Sequence, residues 1–275
     1  MEAYALTDSE FWDDLWKNIR LPALVQPEIQ WQFALAKALL RHLPRGRSLK
    51  LFEIGCAPGR WLVWFSQALE YQVAGCDSSA RGVQLTRDNL RLNHVDAEIY
   101  QADVLSDDLP AYAFDVVVSL GVIEHFQAHH AIIERHLALL KPGGYLVLEV
   151  PNMAGWLNYH LLCMAGMQNL LSVHNLTVMN RAFFQAIAQD WGLQITFLGY
   201  VGGFDPGLVV YNYAYPPHTS QMKALFELWR RKHWIVPALW ALERIFRIYP
   251  ACFAHLNAPC CSSMLLGIFR VPENA

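Results

Sequence analysis

The chain has 275 residues, enough to bury a substantial core in one embellished domain. Its net charge of −3 supplies no basic field for a nucleic acid, and no run reaches the ~18 apolar residues that span a bilayer. Apolar residues make up 54% of the chain and charged residues 16%, with 10 Trp and 14 Phe, so an apolar cavity or surface beyond an ordinary core is expected. The first twenty residues or so are acidic and lack the apolar stretch of a signal peptide, which makes the cytoplasm the expected location.

Taken in chain order, Thr7-Asp-Ser-Glu10 reads as a capping box ahead of a helix carrying Phe11, Leu15 and Ile19 on one face and Trp12 and Trp16 on the next. A second helix is predicted over 27–43, with Pro27 in its first turn and Pro44 beyond its end. A strand follows over 49–54, then a small-residue turn from Gly55 to Gly59 and a helix over 60–69. Residues 72–76 read as a second strand ending at Asp77, with Ser78 and Ser79 capping a helix to about Leu92. Strands are predicted over 97–101 and 114–120, then a helix over 128–140, stopped by Lys141-Pro-Gly-Gly144, and a strand over 145–150. Asn180 caps a further helix, 194–200 reads as a strand, and 262–271 as the closing one. The alternation gives parallel strands with right-handed crossovers, and ligands in such sheets bind beyond the carboxyl ends of the strands.

Glu53-Ile-Gly55-Cys56-Ala57-Pro-Gly59 is the stretch around which the rest is organised. A strand feeding a Gly-rich turn and a helix makes a cofactor cradle, with unpaired N–H groups at the fresh helix end. The dinucleotide pattern Gly-x-Gly-x-x-Gly, read from Gly55, meets Ala57 and then the bulky Arg60, which argues against a nicotinamide oxidoreductase. The spacing instead resembles motif I of the class I S-adenosylmethionine-dependent methyltransferases, with Ala57 in place of one glycine. Asp77, Asp103 and the Leu-Lys-Pro-Gly-Gly turn extend the resemblance over 49–203 and the final strand.

That resemblance implies an α/β fold: a doubly wound, seven-stranded, mostly parallel sheet of Rossmann-like type, in a single domain over 1–275. N-terminal helices would occupy 1–48, the core sheet 49–203 and 262–271, and helical inserts 152–179 and 204–261. It implies S-adenosylmethionine as cofactor, contacted by Glu53, Gly55, Cys56, Ala57, Gly59, Asp77, Ser78, Asp103, Val104 and Leu120. Asp77 would take the ribose hydroxyls and Asp103 the adenine amino group, with Val104 beside the ring. The expected reaction is methyl transfer to a small or lipophilic acceptor, O-methylation first. A non-catalytic cofactor-binding scaffold stands as an alternative that only turnover separates.

His125, just past the fourth strand, is the expected general base and His174 the second catalytic candidate. Glu124-His125 resembles the end of a Glu-x-x-Glu-His metal signature found in methyltransferases of ubiquinone biosynthesis and of small-RNA ends. Gly121 stands where its first Glu belongs, so no metal is expected there. Cys252, His255, Cys260 and Cys261 match no zinc spacing. Met222, Trp229, Trp240 and Phe246 lie on two predicted helices within 220–249, whose arginines leave two readings, a lid over the acceptor or peripheral contact with an anionic membrane. No nucleic-acid partner is expected.

Overall fold

A computed structural model describes residues 5–107, 109–164, 167–205 and 257–273. The calls on 206–256, including the helices over 220–249 and most of the second insert, lie outside the described residues.

Seven strands form one sheet in the order β3-β2-β1-β4-β5-β7-β6. They are β1 Lys50–Ile54, β2 Gln72–Asp77, β3 Ala97–Gln101, β4 Phe114–Leu120, β5 Leu140–Pro151, β6 Gln194–Phe204 and β7 Ser262–Arg270. The first five pair in parallel, and β7 runs antiparallel to both β5 and β6. The fold class expected from the sequence is the one observed.

The alternating geometry of a strand divides its side chains between two cores. Along β4, Phe114 and Val117 face a cluster with Ile132, Ile133, Phe184 and Ile187. Val116 and Val118 face the other cluster, with Leu35, Leu39, Leu62, Phe65 and Val83. The first set of partners comes from α5 His129–Leu139 and α8 Arg181–Asp190, the second from α2 Gln30–His42, α3 Arg60–Ala68 and α4 Ala80–Leu92. Both faces of β4 are therefore covered, which is why its centre is the continuous run Val116-Val-Val118. Strand order reverses between β1 and β4, and the crevice at their carboxyl ends is the topological switch point of such a sheet.

Three local expectations are corrected. The helix α1 Ser9–Leu15 is capped by Asp8, whose Oδ1 accepts from the Phe11 N–H at 2.8 Å, while the Thr7 hydroxyl accepts from the Trp12 indole. Helix α2 begins at Gln30, not near Pro27, because Ile29 N–H closes a turn on the Gln26 carbonyl and Gln26 N–H donates to Gln32 Oε1. Strand β5 begins at Leu140 and runs through Lys141-Pro-Gly-Gly144, since Leu140 pairs with Phe114 and Lys141 Nζ reaches the Asp115 carboxylate at 2.9 Å. The first insert folds as α6 Trp156–Met164, α7 Gln168–Ser172 and a short 3-10 turn, Leu176–Val178.

Candidate functional site

Strand β1 ends in a turn that needs glycine at two places. Gly55 has φ +72° and a Cβ there would sit 2.5 Å from Val122 Cγ2, while Gly59, at φ +83°, lies against Thr86 and caps α3. The turn is pinned to β2 because Gly55 and Cys56 N–H both donate to the Cys76 carbonyl. Ala57, the departure from the glycine pattern, is accommodated because Gly82 of α4 leaves room for its methyl. The third position that a dinucleotide would want small is Arg60, the first residue of α3.

Asp77 ends β2 and ties three elements together. Its Oδ2 accepts from Ala57 N–H at 3.1 Å and its Oδ1 from Ser79 N–H at 2.9 Å. Burial raises its pKa to about 6, with Asp13 adding to the rise and the two N–H donors opposing it. Asp103 follows β3; its Oδ1 accepts from Leu105 N–H and its own N–H donates to Asp107 Oδ2. Glu53 is 3% exposed, and burial first, then the Asp77 charge, holds its carboxyl well above the usual range.

These ends surround a cavity of about 580 Å³. Gly55, Ala57, Asp77, Ser78, Asp103, Val104, Leu120 and His125 all line it. Glu53, Cys56, Gly59 and His174 do not: Glu53 and Cys56 are buried in the end of β1 and its turn, and Gly59 faces Thr86. One wall comes from the N-terminal segment, where the family resemblance implies helices folded over the cofactor. Ala5, Thr7, Asp8 and Ser9 line the cavity, with Trp12 and Trp16 beside them. The N-terminal strap lies there because Ala5 bridges Phe126 and Leu6 N–H donates to the His125 carbonyl at 2.7 Å. Asp13 then accepts from the Ser79 hydroxyl and from Arg81 N–H, at the start of α4. The residues of the strap that line the cavity, Ala5, Thr7, Asp8 and Ser9, carry no local signal of their own; the tryptophans do, as aromatics at helical spacing.

A short turn, Ile123–His125, follows β4 and buries all three of its residues. His125 Nδ1 donates to the Val173 carbonyl at 2.9 Å, and Trp12 meets its ring edge-on with centroids 4.9 Å apart. His174 donates from Nδ1 to the Leu170 carbonyl at 2.7 Å, and the two imidazole centroids are 4.5 Å apart. The insert is held there by Asn175, whose N–H donates to the Glu124 carbonyl at 2.6 Å. Burial first, then the neighbouring His174, lowers the His125 pKa to about 3; burial lowers His174 as well. Glu124 is 1% exposed, its Oε2 has no hydrogen-bond partner, and burial together with Glu149 pushes its carboxyl well up. Glu124, His125 and His174 thus bring one potential ligand atom each to within 4.8 Å of one another.

Fold and cavity now stand beside known proteins. A family profile described as a methyltransferase domain matches residues 29–196, more than half of the chain. The chain belongs to this methyltransferase-domain family. It is 30% identical over 113 residues to the ubiquinone biosynthesis O-methyltransferase of Bradyrhizobium sp. (strain ORS 278), a match covering 41% of this chain and 44% of that protein. It is also 30% identical over 122 residues to the trans-aconitate 2-methyltransferase of Paracidovorax citrulli, covering 42% and 44%. The chain thus spans less than half the length of these relatives. Among solved structures it is similar to the geranyl diphosphate C-methyltransferase of Streptomyces coelicolor A3(2), with TM-score 0.58 and 13% identity over 96% of this chain and 97% of that one, a likeness of fold. Among the described residues, no helix is long and apolar enough to cross a membrane.

Proposed function

We propose that this chain transfers the methyl group of S-adenosylmethionine to an oxygen of a small or lipophilic acceptor. The observation that carries this reading is convergence: eight residues expected to serve the reaction, from the ends of four different strands, line one cavity. Asp77 has lone pairs left for the ribose hydroxyls after accepting its two N–H donors. Asp103 and Val104 flank the adenine, and the Gly55–Gly59 turn leaves room for the amino-acid end of the cofactor. Names among the relatives support O-methylation of small molecules.

The chemistry asks little beyond geometry. An acceptor oxygen attacks the methyl carbon in line, the S–C electron pair returns to sulfur and the sulfonium charge disappears; the proton of the acceptor hydroxyl passes to solvent water, before the attack where the acceptor is already ionised. Holding oxygen and methyl in line, with water excluded, supplies most of the acceleration. Trp12 and Trp16 line the cavity and contribute that exclusion. A buried imidazole with pKa about 3 is a weak proton acceptor, so the part assigned to His125 is to hold the acceptor hydroxyl rather than to carry its proton.

The test is to incubate the full chain with methyl-labelled S-adenosylmethionine and a panel of phenolic, hydroxy-acid, sugar and fatty-acid acceptors. Label transferred to an acceptor oxygen in at least one class is the expected result. Cofactor binding with no transfer across the panel would favour the scaffold reading instead.

A further inference from the structure

We propose that the end of the molecule away from the cavity docks on the anionic surface of a phospholipid bilayer, through Lys37, Leu40, Arg41, Arg45 and Lys50. Between Glu28 and Glu53 stand five cations, Lys37, Arg41, Arg45, Arg47 and Lys50, and no acidic residue, in a chain whose total is −3. Clustering of one sign against an opposite total gives a local field that attracts the opposite charge. This goes beyond the methyl-transfer reading and does not rest on it.

The fold gathers these residues at one end. Lys37 and Arg41 lie four residues apart on one face of α2, with Leu40 beside them. The loop after α2 carries Arg45 and Arg47, and Lys50 opens β1 at its amino end. All five cations are exposed. Strand β6 runs in the same direction as β1, so Ile195, near its start and 42% exposed, lies at that same end of the sheet. His42 joins the two regions, its ring centroid 4.7 Å from that of Phe197 in β6.

The acids nearby are already engaged. Asp115 accepts from Lys50 N–H at 2.8 Å and from Lys141 Nζ at 2.9 Å, and Glu70 pairs with Arg47 at 3.2 Å. Among the described residues, the side chains of Lys37, Arg41, Arg45 and Lys50 have no ion-pair partner. Lys37 and Arg41 repel each other at their spacing, and Arg41 adds to burial in lowering the His42 pKa.

The occupant follows from what stands together. Leu40 is 37% exposed among ammonium and guanidinium groups. A bilayer interface meets both kinds of side chain at once: lipid phosphates accept from Lys and Arg, and the boundary with the acyl chains takes an apolar residue. The phosphates of a nucleic acid would meet the cations and leave Leu40 and Ile195 unmet. Each cation near an anionic leaflet raises partitioning about fivefold, so four act together. The cavity lies at the opposite, carboxyl ends of the strands, so docking leaves it uncovered.

The experiment mixes the full chain with vesicles of phosphatidylcholine, alone or with about one third phosphatidylglycerol, and measures bound protein by sedimentation. Binding to the anionic vesicles, none to phosphatidylcholine, and release as NaCl rises to about 0.5 M are the expected results. Lys37→Glu combined with Arg41→Glu should lower partitioning at least about twentyfold. Arg20→Glu combined with Arg91→Glu changes the net charge equally at exposed positions elsewhere and should lower it less than about threefold. Circular dichroism reports the fold of each variant. If the Lys37 and Arg41 variant fails to fold, Arg45→Glu in the loop decides, with an expected loss of about fivefold or more. Equal binding to both vesicles, unchanged binding by the folded Lys37 and Arg41 variant, or an equal loss in the control would overturn the proposal. So would no vesicle binding by a chain that holds duplex RNA or polyglutamate, which would make the partner a nucleic acid or an acidic protein.

Discussion

Asp77 carries more of the cofactor reading than any other side chain, and its burial makes a pH test. In the protein without ligand, its raised pKa of about 6 against an ordinary 3.8 means that folding favours the protonated form. Its contribution to stability is full below pH 3.8 and is lost as pH rises through about 6. On the proposed reading cofactor binding has the opposite sign, because the ribose hydroxyls would donate to the ionised carboxylate. Affinity for S-adenosylmethionine should be full above pH 6 and fall below it, by at most about tenfold per pH unit. Asp77→Asn should bind more weakly near neutrality and lose that dependence. Titration calorimetry of both proteins at several pH values checks this, and a wild-type affinity flat from pH 5 to 8 would contradict it. Asp77 was legible in the sequence because it ends an apolar run about twenty residues past a glycine turn. The pairing of His125 with His174 was not, since nothing in either local pattern tells which way the insert folds back.

The elements that build the sheet were legible from their own residues, while the contacts that close the cavity were not. Strand β4 follows from Phe114–Leu120, a mostly apolar segment ending at a glycine turn, and β3 from Ala97–Gln101, a short segment with Ile99 buried between polar neighbours. Helix α1 was legible as a helix, yet its place over the cavity depends on the Ala5–Phe126 bridge and the Asp13–Ser79 hydrogen bond, which join residues far apart in sequence. Because α1 has no fully buried residue, it can be altered without opening the core. Trp12→Ala should leave the melting temperature nearly unchanged. Losing an aromatic wall worth ~1 kcal/mol or more should speed cofactor release about tenfold, which stopped-flow fluorescence can follow. An unchanged release rate would mean that α1 does not cover the cofactor.

At the scale of the whole molecule, seven strands with β7 antiparallel place four loop ends on one edge of the sheet, and the family profile over 29–196 covers all of them. That edge could be read from sequence because the β–α alternation fixes which ends of the strands share it. The contacts that hold the N-terminal segment over the cavity, Ala5 with Phe126 and Asp13 with Ser79, needed the folded chain. If the proposed function holds, this cavity takes S-adenosylmethionine and not a dinucleotide. Parallel calorimetric titrations of the full chain with S-adenosylmethionine and with NADH test it most directly. Saturable one-to-one binding of S-adenosylmethionine, with no heat from NADH at the same concentrations, is the predicted result; binding of NADH in preference, or no binding of S-adenosylmethionine by folded protein, would contradict it.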